Sequence, residues 1–124
     1  MVYGFTPIKL FSIFSSLMST ITLIISTCPN QEVAETIAQR LLEENLAACV
    51  SILAGVTSIY RWQGEVVKDQ EYMLFIKTAT ERQDELLGRL RDLHPYDVPE
   101  IICLPIEKGH QPYIEWVKEC TISS

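Results

Sequence analysis

The sequence predicts an α+β fold: an antiparallel sheet built in the order strand, helix, strand, strand, helix, strand, with an extra C-terminal helix. Three observations lead there. A β-branched alternation at 20–27 is followed by a helical apolar stripe at 33–42. Two extended segments meet at Gln63-Gly64 and make one long central hairpin. A second helical stripe then stops before Pro95, and an apolar strand follows at 100–106. That order is the split βαβ arrangement of a ferredoxin-like sandwich. Right-handed crossovers put both of the first two helices on one face of the sheet.

Each element has a local cause. Ile21, Leu23 and Ile25 alternate with Thr22, Ile24 and Ser26, and Cys28-Pro29-Asn30 breaks the strand. Asn30 can cap a helix with Glu32 in its first turn, and Val33, Ile37 and Leu41 with Ala34, Ala38 and Leu42 form its stripe. Asn45 tolerates the left-handed conformation that ends it, with Leu46 folding back. Residues 47–53 form the second strand, Ala54-Gly55 allow a bulge, and 56–62 continue to the turn before the chain returns through 65–78. Thr80-Glu81-Arg82-Gln83 reads as a capping box opening a helix with Leu86, Leu87, Leu90 and Leu93 on its stripe. Pro112 begins a last short helix through Trp116 to Cys120.

A chain of 124 residues, 48% hydrophobic and 21% charged, makes one domain with a real core. We place that domain at 19–124. Residues 1–18 do not share the patterning of this domain and read as a disordered extension or as translation from a start upstream of Met18. The apolar run at 10–14 is too short to span a bilayer. A net charge of -6 argues against nucleic acid and anionic membrane as partners. Four cysteines without close pair spacings suggest a reduced, cytoplasmic protein.

The sheet carries one anomaly. Residues 101–104 and 74–76 are apolar on both faces, whereas a sheet with one wet face alternates. The simplest cover for the second face is another copy of the chain, so a homo-oligomer is expected.

Several motifs together resemble the CutA divalent-cation tolerance family. They are Leu46-Ala47-Ala48-Cys49-Val50, Ser58-Ile59-Tyr60-Arg61-Trp62-Gln63-Gly64, Ile76-Lys77-Thr78, His94-Pro95-Tyr96-Asp97-Val98-Pro99-Glu100 and Tyr113-Ile114-Glu115-Trp116, spread in matching order from about Thr20 to Val117. The resemblance implies a ferredoxin-like homotrimer similar to PII signalling proteins, and a role with copper or another divalent metal, none obligatory. The family's proposed copper site pairs a cysteine at the end of the first strand with the histidine of the His-Pro-Tyr turn. Here the histidine is His94 and the cysteine position holds Ser26, with Cys28 two residues on. A hydroxyl replaces a soft thiolate poorly, so a closed site in one subunit is not expected. A site shared between subunits, or loose binding at the surface, is expected instead. His110 contributes only if the fold brings it near. For His94 alone the simpler role is a cation at a helix end.

The resemblance also implies an inter-subunit cleft. Lys77, the one charged residue of an apolar strand, needs an anionic partner if buried, and Glu100 is the natural candidate. Tyr60, Trp62, Tyr96, Tyr113 and Trp116 either line a pocket there or anchor oligomer contacts. The expected function is a trimeric copper-binding module for metal tolerance, and the alternative is a PII-like small-molecule sensing trimer. An enzyme is not expected. Cys49 and Cys103 fall inside apolar strands where a thiolate is disfavoured, and there is no glycine-rich phosphate loop.

Overall fold

The computed structural model describes residues 19–122, and the expectation for the leader at 1–18 lies outside them. Among the described residues four strands and three α-helices succeed one another: β1 (Ile21–Cys28), α1 (Gln31–Glu43), β2 (Cys49–Trp62), β3 (Glu65–Ala79), α2 (Gln83–Leu93), β4 (Ile101–Ile106) and α3 (Gln111–Thr121). The strands form one antiparallel sheet in the order β2-β3-β1-β4. The expected α+β topology is therefore present, including the extra C-terminal helix.

Most of the local signals act as expected. The Asn30 side chain accepts the Val33 amide at 2.8 Å and caps α1. Asn45 takes φ 57, after which the amides of Leu46 and Ala47 return to the Leu41 carbonyl. The β2–β3 ladder shifts register between Leu53 and Val56, where Gly55 holds φ 75. Gln63 and Gly64 both have positive φ, as a tight hairpin turn requires.

One signal acts differently. Thr80 and Gln83 do not cap each other. A short 3-10 turn, Thr80–Arg82, precedes α2, and no side chain caps either. Instead the Thr22 hydroxyl on β1 lies 3.1 Å from the Thr80 hydroxyl and donates to Gln83 Oε1 at 3.2 Å. A cross-strand partner has taken both groups, which a local motif cannot foresee.

The main core lies between the sheet and α1 and α2: Ile24, Leu74 and Ile76 meet Ile37, Leu41, Leu86 and Leu90. The second face is defined by register. Cys49, Lys77, Leu23 and Leu104 form one row across it, and Ser51, Phe75, Ile25 and Ile102 the next. Helix α3 covers one end of this face, packing Ile114 and Val117 against Ile21 and Ala48. The remainder is open in the single chain: Leu53, Ile102 and Leu104 are 51%, 50% and 41% exposed. Part of the cover assigned to a second copy is thus the chain's own helix, and the rest is still uncovered.

Candidate functional site

Pro95 ends α2 at His94, whose backbone is extended at φ -79, ψ 136. That geometry turns the ring inward, where it is buried. Its Nδ1 accepts the Tyr96 amide at 3.2 Å, so Nδ1 carries no proton. Nε2 lies 2.7 Å from the Thr27 carbonyl and must donate to it. Both ring nitrogens are committed, and the imidazole is a neutral tie between the α2–β4 connection and β1.

Thr27 stands between the other two metal candidates. Strand alternation turns Ser26 and Cys28 to the helix-covered side, and both are fully buried. Among the described residues the Ser26 hydroxyl has no hydrogen-bond partner. The Cys28 thiol faces the Tyr72 carbonyl at 3.8 Å, and burial, then the Glu71 carboxylate, pushes its pKa up to about 11. At neutral pH Cys28 is a thiol, not the thiolate that binds metal. The fold brings Ser26, Cys28 and His94 to one end of β1, yet their donors are protonated, committed or sealed in the core. Among the described residues no group of three or more histidine, cysteine or acidic side chains could hold a metal ion. His110 precedes α3, beyond the Ile106 end of β4 that pairs with Ile21. It therefore lies at the opposite end of β1 from His94.

The sequence reading missed Glu71. It is buried, and its carboxylate accepts the Tyr96 hydroxyl at 3.0 Å. Burial, then this bond, raises the Tyr96 pKa. Within the polar run 68–71 the residue looks solvated, and the only hint is its place next to the apolar half of β3. Farther along the hairpin the Tyr60 hydroxyl bonds to Asp69.

The cleft candidates separate into groups. Lys77 does not meet Glu100, which is exposed ahead of β4. The Lys77 ammonium donates to Ser51 Oγ at 2.9 Å and to Cys49 Sγ at 3.7 Å, both on β2. Tyr113 on α3 interacts through its hydroxyl with the same Cys49, and its ring lies 5.6 Å from that of Trp116. Lys77, Tyr113 and Trp116 thus gather where α3 overhangs the second face. Tyr96 belongs to the His94 loop, and Tyr60 and Trp62 to the hairpin arm. Burial, then the Cys49 sulfur, raises the Tyr113 pKa, so its hydroxyl stays protonated.

These features define a ferredoxin-like α+β domain with a sheet face left partly open and a polar cluster under its last helix. The family model described as CutA1 divalent ion tolerance protein matches residues 22–120, and the chain belongs to that family. A divalent-cation tolerance protein CutA of Thermus thermophilus is 55% identical over 98 residues, covering 79% of this chain and 95% of the relative. A rice relative, named protein CutA 1, chloroplastic, is 44% identical over 98 residues, and the match spans 79% of this chain but only 55% of that protein. The crystal structure of CutA from Xylella fastidiosa superposes with a TM-score of 0.81 at 42% identity, covering 83% of this chain and 99% of that one. Among the described residues no helix is long and apolar enough to cross a membrane.

Proposed function

We propose that this chain is a divalent-cation tolerance protein that works as a homotrimer. It takes copper or another divalent ion through donors from more than one subunit. Relatives that carry the divalent-cation tolerance name support the metal role. The observation that carries the assembled form is the apolar patch on the second face, where Leu53, Ile102 and Leu104, in three neighbouring rows, stand about half exposed beyond the cover of α3. Three as the subunit number rests on the resemblance to PII-like trimers. A shared or loose site fits a subunit whose own candidates, His94, Ser26 and Cys28, have no free anionic or imidazole donor.

The role is that of a binding module and not of an enzyme. The acidic surface still argues against nucleic acid and anionic membrane. We place the protein in the cytoplasm, although the rice relative is named chloroplastic.

Calorimetric copper titration of wild type and of Leu104→Glu tests the reading, with light scattering on the same samples. The charge is expected to break the assembly and remove stoichiometric copper uptake together. Undiminished uptake by a dissociated, folded variant would show that one subunit holds the ion alone.

A further inference from the structure

The Lys77 cluster asks for an anion. Lys77 sits in the row of Cys49, Leu23 and Leu104, next to the row of Phe75, Ile25 and Ile102, so its ammonium lies against apolar neighbours. Among the described residues no carboxylate pairs with it, and its acceptors are a hydroxyl and a sulfur. Sulfur is a weak acceptor, and an ammonium has three donors to place. An ion half removed from water and left with such partners gains most from an oxyanion, because charge-assisted hydrogen bonds are shorter and stronger than neutral ones.

Two further donors converge on the same spot. Ser51 uses its oxygen to accept from Lys77, which leaves its own proton to give. The Tyr113 hydroxyl, kept protonated by burial, meets the same Cys49 that Lys77 reaches. Trp116, 43% exposed in the single chain and tilted against the Tyr113 ring, supplies an apolar wall beside these donors. We propose that Lys77, Ser51 and Tyr113 form a binding subsite for a small oxyanion, the carboxylate or phosphate of a ligand whose apolar part rests on Trp116. The subsite is independent of how the metal is held, and it shares no residue with the His94 loop.

Trp62 and Trp116 are the two tryptophans of the chain, so the Trp62→Phe protein reports through Trp116 alone. Sodium acetate and inorganic phosphate are titrated separately into the assembled Trp62→Phe protein, with ionic strength held constant by sodium chloride. Saturable change in Trp116 fluorescence is expected with at least one of them, and the one that saturates names the oxyanion. Adding Lys77→Met should weaken that binding by about tenfold or more, Tyr113→Phe should weaken it less, and Lys68→Met, on the hairpin, should leave it unchanged. Drift without saturation for both anions would overturn the proposal, as it would if a partner subunit's carboxylate already filled the site. Curves unchanged in Lys77→Met would also overturn it. Should Lys77→Met fail to fold, an unchanged curve in Tyr113→Phe has the same force. Light scattering on the same samples reports assembly separately, so loss of the trimer and absence of the subsite give different results.

Discussion

His94 Nε2 lies 2.7 Å from the carbonyl oxygen of Thr27, a contact that joins the connection after α2 to the end of β1 across 67 positions of sequence. Because Nδ1 is occupied by the Tyr96 amide, the ring acts as a two-ended clamp. Removing it strands a carbonyl and an amide in a buried place. His94→Ala is expected to destabilise the fold by roughly 2–4 kcal/mol, since each unsatisfied buried group costs about 1–3 kcal/mol. Denaturant midpoints measure this. A surface-like effect near zero would mean that water satisfies both groups.

Ser26 should behave in the opposite way. Its hydroxyl is fully buried between Leu74 on β3 and Ile101 on β4 with no partner among the described residues, so it costs desolvation and returns nothing. Ser26→Ala is expected to be neutral or to stabilise by about 1 kcal/mol. A clear loss of stability in thermal unfolding would point to a hydrogen bond at Ser26 in the assembled protein.

Most of the architecture was legible from residues whose effects are local. Asn30, Asn45, Gly55, Gln63-Gly64 and Pro95 each act within a few positions of themselves, and each does what its chemistry dictates. The illegible part depends on long-range register. The Thr80–Gln83 motif is diverted by Thr22, and Lys77 turns to Ser51 across the β2–β3 ladder instead of reaching Glu100. The buried Glu71 meets Tyr96, which the turn after α2 brings to it from 25 positions away. The candidate site was half legible for the same reason. Ser26, Cys28 and His94 do converge, but which atoms their nitrogens, hydroxyl and thiol face is decided by strands and loops far apart in sequence.

Cys28 gives an alkaline signature. Its pKa is raised in the folded state from 9.0 to about 11, so folding favours the neutral thiol. That contribution is fully present below pH 9 and is lost as pH rises through about 11. Cys28→Ala should lower stability at neutral pH by leaving a small cavity, yet flatten its decline across that window. Denaturant midpoints of both proteins from neutral to alkaline pH check the slope. Alkylation should also be slowest at Cys28 among the four cysteines at neutral pH, because it is the one fully buried.

The Asn30 cap offers a calibrated local test. Asn30→Ala removes the acceptor for the Val33 amide and is expected to cost about 1 kcal/mol, while Asn30→Asp should be near neutral. Chemical denaturation of the pair separates the capping bond from general disturbance of the turn.

On the proposed function, metal handling rests on assembly and not on a closed site at His94. Native mass spectrometry tests it most directly, on untagged wild type and His94→Ala after copper addition and buffer exchange. A three-subunit mass is expected for both proteins, with the same number of retained copper ions. A monomer that keeps copper, or an assembled His94→Ala protein that retains none while the wild type does, would contradict it.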